Sequence, residues 1–266
     1  MSTRMRLLAA VCVLGAGCAT QPASDPALQP ATATTGEESA QRTRARIHTE
    51  LAGGYYAVGQ NDPGRMGIAL EEVTLAQKID PSYGPAYRVA GLIYASLKQD
   101  GQADASFRRA LSLSPNDPLA NHDYGQFLCE RNREQEGIGY FMAAVKNPLY
   151  RTPENSYVNA GACARRMGDE AAAENYFRQA LRLRPNQPQA LYNLAQMNYE
   201  RKDYGAAKKQ MNALMRVIKP NAEALWLAFR IERALGDAAS AASYAQQLRK
   251  TFPDSKEARA LGAGGL

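Results

Sequence analysis

With two histidines, one tryptophan and four cysteines in 266 residues, the chain has little of the side-chain chemistry on which most active sites depend. His48 and His122 sit in no zinc-ligand pattern, so no metal site is expected. There is no nucleophile-elbow Gly-x-Ser-x-Gly, no Walker-type glycine loop and no His-Glu-x-x-His. Acidic pairs such as Glu71-Glu72 read as solvated helix surface. No catalytic residue, cofactor or small-molecule substrate is therefore expected. Blocks of like charge are also missing: the formal charge is +6, with both signs interleaved along the chain. Nothing supports a nucleic-acid partner. Val, Ile and Thr are scarce and no alternation of period two persists, which argues against a sheet. The one long apolar run, Leu7 to Gly17, is too short to span a bilayer as a helix.

What is there is a repeat of about 34 residues, each unit reading as helix–turn–helix. From Gly84, Tyr87, Ala90, Gly91 and Tyr94 precede Ala103, Phe107, Ala110 and Pro115. Asn121, Tyr124, Gly125 and Leu128 then lead to Phe141 and Ala144. Tyr157, Ala160, Gly161 and Ala164 lead to Ala173, Phe177, Ala180 and Pro185. Leu191, Leu194 and Ala195 lead to Ala207, Met211, Leu214 and Pro220. This is the tetratricopeptide pattern. Small residues at 91, 125, 161 and 195, and at 103, 173 and 207, allow two antiparallel helices to cross closely. Tyr94, Phe107, Phe141 and Phe177 fill the gaps so opened. Less regular units flank these four. The first starts near Ala45 and carries about five extra residues, Asn61 to Arg65, between its helices; the last starts near Ala222 and has Ala245 in the aromatic place. The expectation is an all-α, right-handed superhelical solenoid of about six repeats, spanning 41–261.

Ahead of it, Arg4, Arg6 and the apolar run resemble an export signal over 1–17, ending Leu14-Gly15-Ala16-Gly17-Cys18. Small residues before a cysteine resemble a bacterial lipobox, with Cys18 as the lipidated residue, although Gly15 stands where leucine is usual. Removing Arg4 and Arg6 leaves a charge of about +4. Ala19 after the cysteine, in place of an inner-membrane Asp signal, favours the outer membrane. Residues 18–40, rich in Ala, Thr, Pro and Gln, read as a tether.

Cys129 and Cys163 fall at neighbouring places on the first helices of consecutive repeats. Two readings stand: a disulfide, which an oxidising compartment permits, or two small core hydrophobes. First helices line the concave side of such a solenoid. Residues offset from the packing positions then face it: Tyr56, Arg88, Leu92, His122, Gln126, Asn155, Asn159, Arg165, Tyr192, Asn193, Gln196, Tyr199, Trp226 and Arg230. Asn159 and Asn193 hold the same template place in consecutive repeats. A stacked carboxamide pair there suits a peptide backbone.

The chain resembles the PilF/PilW-type pilotins, lipoproteins of type IV pilus biogenesis. The likeness is most specific at Asn121 to Cys129, at Asn147-Pro148-Leu149-Tyr150-Arg151-Thr152-Pro153-Glu154, at Asn159 to Cys163, and at Arg249 to Ser255. The resemblance implies a protein anchored by lipid on the periplasmic face of the outer membrane. It would help secretin subunits reach that membrane and multimerise, and so serve pilus biogenesis and twitching motility. The rival expectation is a general periplasmic adaptor that docks envelope enzymes or assembly factors.

Overall fold

A computed structural model describes residues 38–59 and 62–263, and from Ser39 onward the chain is one compact unit. Among the described residues there are thirteen helices and no strand. Six antiparallel pairs follow in order: α1 (Ala40–Gly59) with α2 (Pro63–Ile79), α3 (Gly84–Ser96) with α4 (Asp100–Leu113), and α5 (Pro118–Glu130) with α6 (Glu134–Val145). Then come α7 (Pro153–Arg166) with α8 (Glu170–Leu183), α9 (Pro188–Glu200) with α10 (Tyr204–Met215), and α11 (Ala222–Leu235) with α12 (Ala238–Thr251). A thirteenth helix, α13 (Lys256–Ala263), packs on the last pair. First helices of neighbouring repeats approach one another along most of the array, as in α1 with α3 and α9 with α11. Second helices do not, among the described residues. The superhelix therefore bends toward the first-helix side, which becomes its concave face.

Local chemistry fixes the boundaries. Asp62, Asp117, Asp169, Asp203 and Asp237 each accept hydrogen bonds from backbone N–H groups in the first turn of the following helix. Pro81, Pro115, Pro185 and Pro253 follow directly on the C-caps of α2, α4, α8 and α12, where no further helical N–H is needed. The turn inside each of repeats two to six passes through one left-handed residue: Lys98, Asn132, Gly168, Lys202 and Gly236.

The first repeat differs from expectation. Three of its extra residues, Pro63, Gly64 and Arg65, are not loop but the opening turn of α2. Asp62 caps that turn and Pro63 supplies a preset φ, so these three residues lengthen the helix.

The crossing positions are packed as the pattern requires. A Cβ at Gly161 would lie 2.7 Å from the fully buried Phe177 ring, and one at Gly91 would lie 2.8 Å from Phe107. In the third repeat the small residue on the second helix is Gly137, whose Cβ would meet the Gly125 carbonyl oxygen at 2.6 Å. In the sixth, the room left by Ala245 is shared with Phe229 of α11 and Leu261 of α13. Ala258 and Leu261 of α13 pack into this last core.

Polar ties stitch neighbouring repeats. Asp104 of α4 accepts from the Tyr124 hydroxyl at 2.8 Å and from Arg133 at 2.9 Å, both from the third repeat. Burial and this carboxylate push the Tyr124 phenol up to about 12. Cys129 of α5 and Cys163 of α7 are joined by a disulfide with Cα atoms 5.9 Å apart, linking repeats three and four.

Candidate partner-binding groove

The residues expected to face the groove divide into two sets. Four of them tie repeats together. Arg88 of α3 pairs with Asp123 of α5 at 2.6 Å. The His122 ring nitrogen Nδ1 is 2.7 Å from Ser156 Oγ, and the ring meets Phe141 edge-on at 5.5 Å. Asn155 accepts from Gln187 at 2.9 Å, and Arg165 of α7 donates to Glu200 of α9 at 2.9 Å. These side chains spend their polar capacity inside the protein, because groove-facing positions on adjacent first helices are also neighbours of each other.

Burial holds the His122 imidazole below its ordinary value, with nearby Asp123 acting weakly in the opposite direction. The unfolded chain then binds a proton at higher pH than the folded one. Stability should be fully present above about pH 6.5 and decline as the pH falls through the folded-state value. His122→Gln should flatten that part of the stability–pH curve, read by urea denaturation between neutral and mildly acid pH. An unchanged slope would show that His122 titrates freely.

The second set lines open space. Gln126, with Tyr56, Leu92, Asp123 and Phe127, borders an opening of about 270 Å³ toward the N-terminal end. Toward the other end, Tyr192 and Asn193 border a cavity of about 360 Å³ with Pro188, Ile218 and Glu223. Tyr192, Trp226 and Arg230 border another of about 390 Å³ with Glu223, Lys256 and Ala260. Tyr192 and Glu223 belong to both, so the two cavities adjoin as one trough. Arg230 stacks on the Tyr199 ring at 4.3 Å, and Trp226 stacks on Phe229 at 5.3 Å. The half-buried Tyr192 hydroxyl makes no hydrogen bond among the described residues, and burial raises its pKa. Trough walls of fixed aromatic rings with a few polar groups suit an extended peptide.

The carboxamides of Asn159 and Asn193, expected to face a peptide backbone, are not bonded to each other. Asn193 donates instead to the Gln189 carbonyl of its own helix at 2.7 Å, and Asn159 makes no side-chain hydrogen bond among the described residues. A carboxamide on a helix surface reaches the carbonyl four residues back more readily than a partner one repeat away. Ile218, Lys219, Lys256 and Ala260 went unnoticed in the sequence. They lie on a turn and on the capping helix, where the repeat template prescribes nothing. Cys18 and the segment before residue 38 lie outside the described residues. Among the described residues no cluster of His, Cys, Asp or Glu could hold a metal ion, and no helix is long and apolar enough to cross a membrane.

Tetratricopeptide-repeat family models match residues 85–117, 164–223 and 224–255. The type IV pilus assembly protein PilF of Pseudomonas aeruginosa is 28% identical over 217 residues, covering 81% of this chain and 84% of PilF. The crystal structure of PilW, described as a widely conserved type IV pilus biogenesis factor, is 34% identical. It superposes with a TM-score of 0.71 over 82% of this chain and 97% of PilW. A structure of Pseudomonas aeruginosa PilF gives a TM-score of 0.75 at 26% identity, covering 85% of this chain and all of that one.

Proposed function

Because the chain belongs to the tetratricopeptide-repeat family of type IV pilus biogenesis proteins that includes PilW, we propose that it is a pilotin. In this reading it is a non-enzymatic lipoprotein of the outer membrane. It captures secretin subunits in its concave groove and promotes their multimerisation there. The observation that carries the proposal is likeness to PilW and PilF over more than four-fifths of the chain, together with an open trough on the concave face. The lipobox-like Gly17-Cys18-Ala19 supports the anchor. Several acyl chains on one cysteine make a stable attachment, at roughly 0.8 kcal/mol per buried methylene. Tethering then raises the local concentration of bound secretin at the bilayer without any new contact in the pore.

Two variants test separate parts of this reading. Cys18→Ser should release the protein from outer-membrane fractions and leave secretin multimers fewer or mislocalised; normal fractionation would end the lipoprotein claim. Tyr192→Ser with Trp226→Ser should stay anchored and folded yet recover at least tenfold less secretin on affinity purification, since aromatic anchors typically carry about 2 kcal/mol or more each. Undiminished secretin recovery would move the contact off the trough. Recovery of cell-wall hydrolases in place of secretin would favour the general adaptor.

A further inference from the structure

In each antiparallel pair the second helix ends at the edge where the next first helix begins. Along repeats three to six that edge combines exposed aliphatic and basic side chains. Leu149, 84% exposed, stands beside exposed Arg151 in the turn before α7. Leu183, 53% exposed, sits between exposed Arg182 and Arg184 at the end of α8. Val217, 39% exposed, lies between Arg216 and Lys219 after α10, and exposed Arg249 and Lys250 end α12. Apart from Arg184, which reaches Glu154 at 3.5 Å, none of these cations has a carboxylate partner among the described residues.

The opposite edge has charges of both signs that largely neutralise each other. Arg131 pairs with Asp100 at 2.9 Å, Arg166 with Glu134 at 2.9 Å, and Arg165 with Glu170 at 3.6 Å. Helix dipoles favour cations in a last turn. They do not account for Arg151 and Lys219, which lie in turns beyond the helices, nor for aliphatic side chains left in solvent between cations.

We infer that the edge formed by the turns of repeats three to six, with Leu149, Leu183 and Val217 set among basic side chains, is a docking surface for an anionic lipid bilayer. The aliphatic groups would enter the boundary between headgroups and acyl chains while the cations meet lipid phosphates. The inference does not depend on Cys18 or on what the groove holds. It would lay this edge against the membrane and leave the concave face open along it.

The test uses residues 39–266, a compact unit that contains every described core residue and lacks Cys18. It should sediment with vesicles made of equal parts phosphatidylglycerol and phosphatidylcholine, but not with phosphatidylcholine alone, and binding should weaken as salt is raised. Arg151→Glu, Arg182→Glu and Arg216→Glu combined should reduce vesicle binding by about a hundredfold, given roughly fivefold per cation near an anionic surface. Leu149→Ser with Leu183→Ser should also weaken binding. Melting curves matching the parent would show that all variants are folded. Equal binding to both vesicle types, or vesicle binding that survives the charge reversal, overturns the inference. So does a charge reversal that abolishes secretin capture in detergent, because the edge would then be a protein contact.

Discussion

Gly161→Leu should lower stability by about 3 kcal/mol or more, the upper end of what overpacking a dense contact costs. For a unit of this size that is a fall in melting temperature of roughly 6–12 °C. The reason is geometric. Already the first added carbon would lie 2.7 Å from the Phe177 ring, with two further ring atoms at 2.9 Å. Phe177 is fully buried among Ala164, Ala173, Ala180 and Leu194, so the ring has nowhere to move. In a solenoid, displacing α7 from α8 also disturbs both neighbouring interfaces. Gly139→Ala is the matched control. It lies on the exposed face of α6 with nothing within 4 Å of the added carbon. There the helical preference of alanine over glycine should raise stability by about 0.5–1 kcal/mol. Thermal denaturation of both variants decides the matter. A Gly161→Leu protein that melts with the parent would mean that the α7–α8 crossing is not packed as described.

Reducing the Cys129–Cys163 disulfide should cost about 4 kcal/mol at 25 °C, the chain-entropy value for a closed loop of 34 residues. The bond joins α5 to α7 across the longest turn between repeats among the described residues. Gly125 and Gly161 are 36 positions apart, whereas Gly91 and Gly125 are 34 apart. The added turn residues are held by Asn147, which donates to the Asn116 carbonyl at 2.7 Å, and by buried Tyr150. Loosening this junction should therefore let the N-terminal and C-terminal halves unfold in separate steps, since repeat arrays lose cooperativity at their weakest interface. Urea denaturation with and without reductant reads both effects. A midpoint and slope indifferent to reductant, with both thiols shown to be free, would remove the disulfide from the account of stability.

Much of the fold is legible in the sequence. Spacing alone gave six helix pairs, because glycine and alanine recur wherever two helices must cross, and aromatic residues recur wherever the gap must be filled. Three features were not legible in that way. Gly137 escaped notice because a template scored for alanine passes over a still smaller residue. The first-repeat insert looked like a loop because proline and glycine cluster there, but Asp62 and Pro63 are equally the start of a helix. Helix α13 follows no repeat and is placed only by the apolar end of the last pair.

The candidate groove was harder to read, and for one reason. Periodicity says which face of a helix a residue occupies but not what its polar end will find there. Arg88, His122, Asn155 and Arg165 lie on the expected helices, yet their partners come from the next repeat, Asp123, Ser156, Gln187 and Glu200. Tyr192, Trp226 and Arg230 line open space because the turn after α10 and helix α13 stand back from them there. Sequence by itself determined the repeat, its phase and its small-to-large packing, since those depend on contacts within one helix pair, at fixed sequence spacing. Tertiary structure alone decided which groove residues bond to a neighbouring repeat and which border open space. That choice depends on distances between repeats, to which no single repeat's sequence is bound.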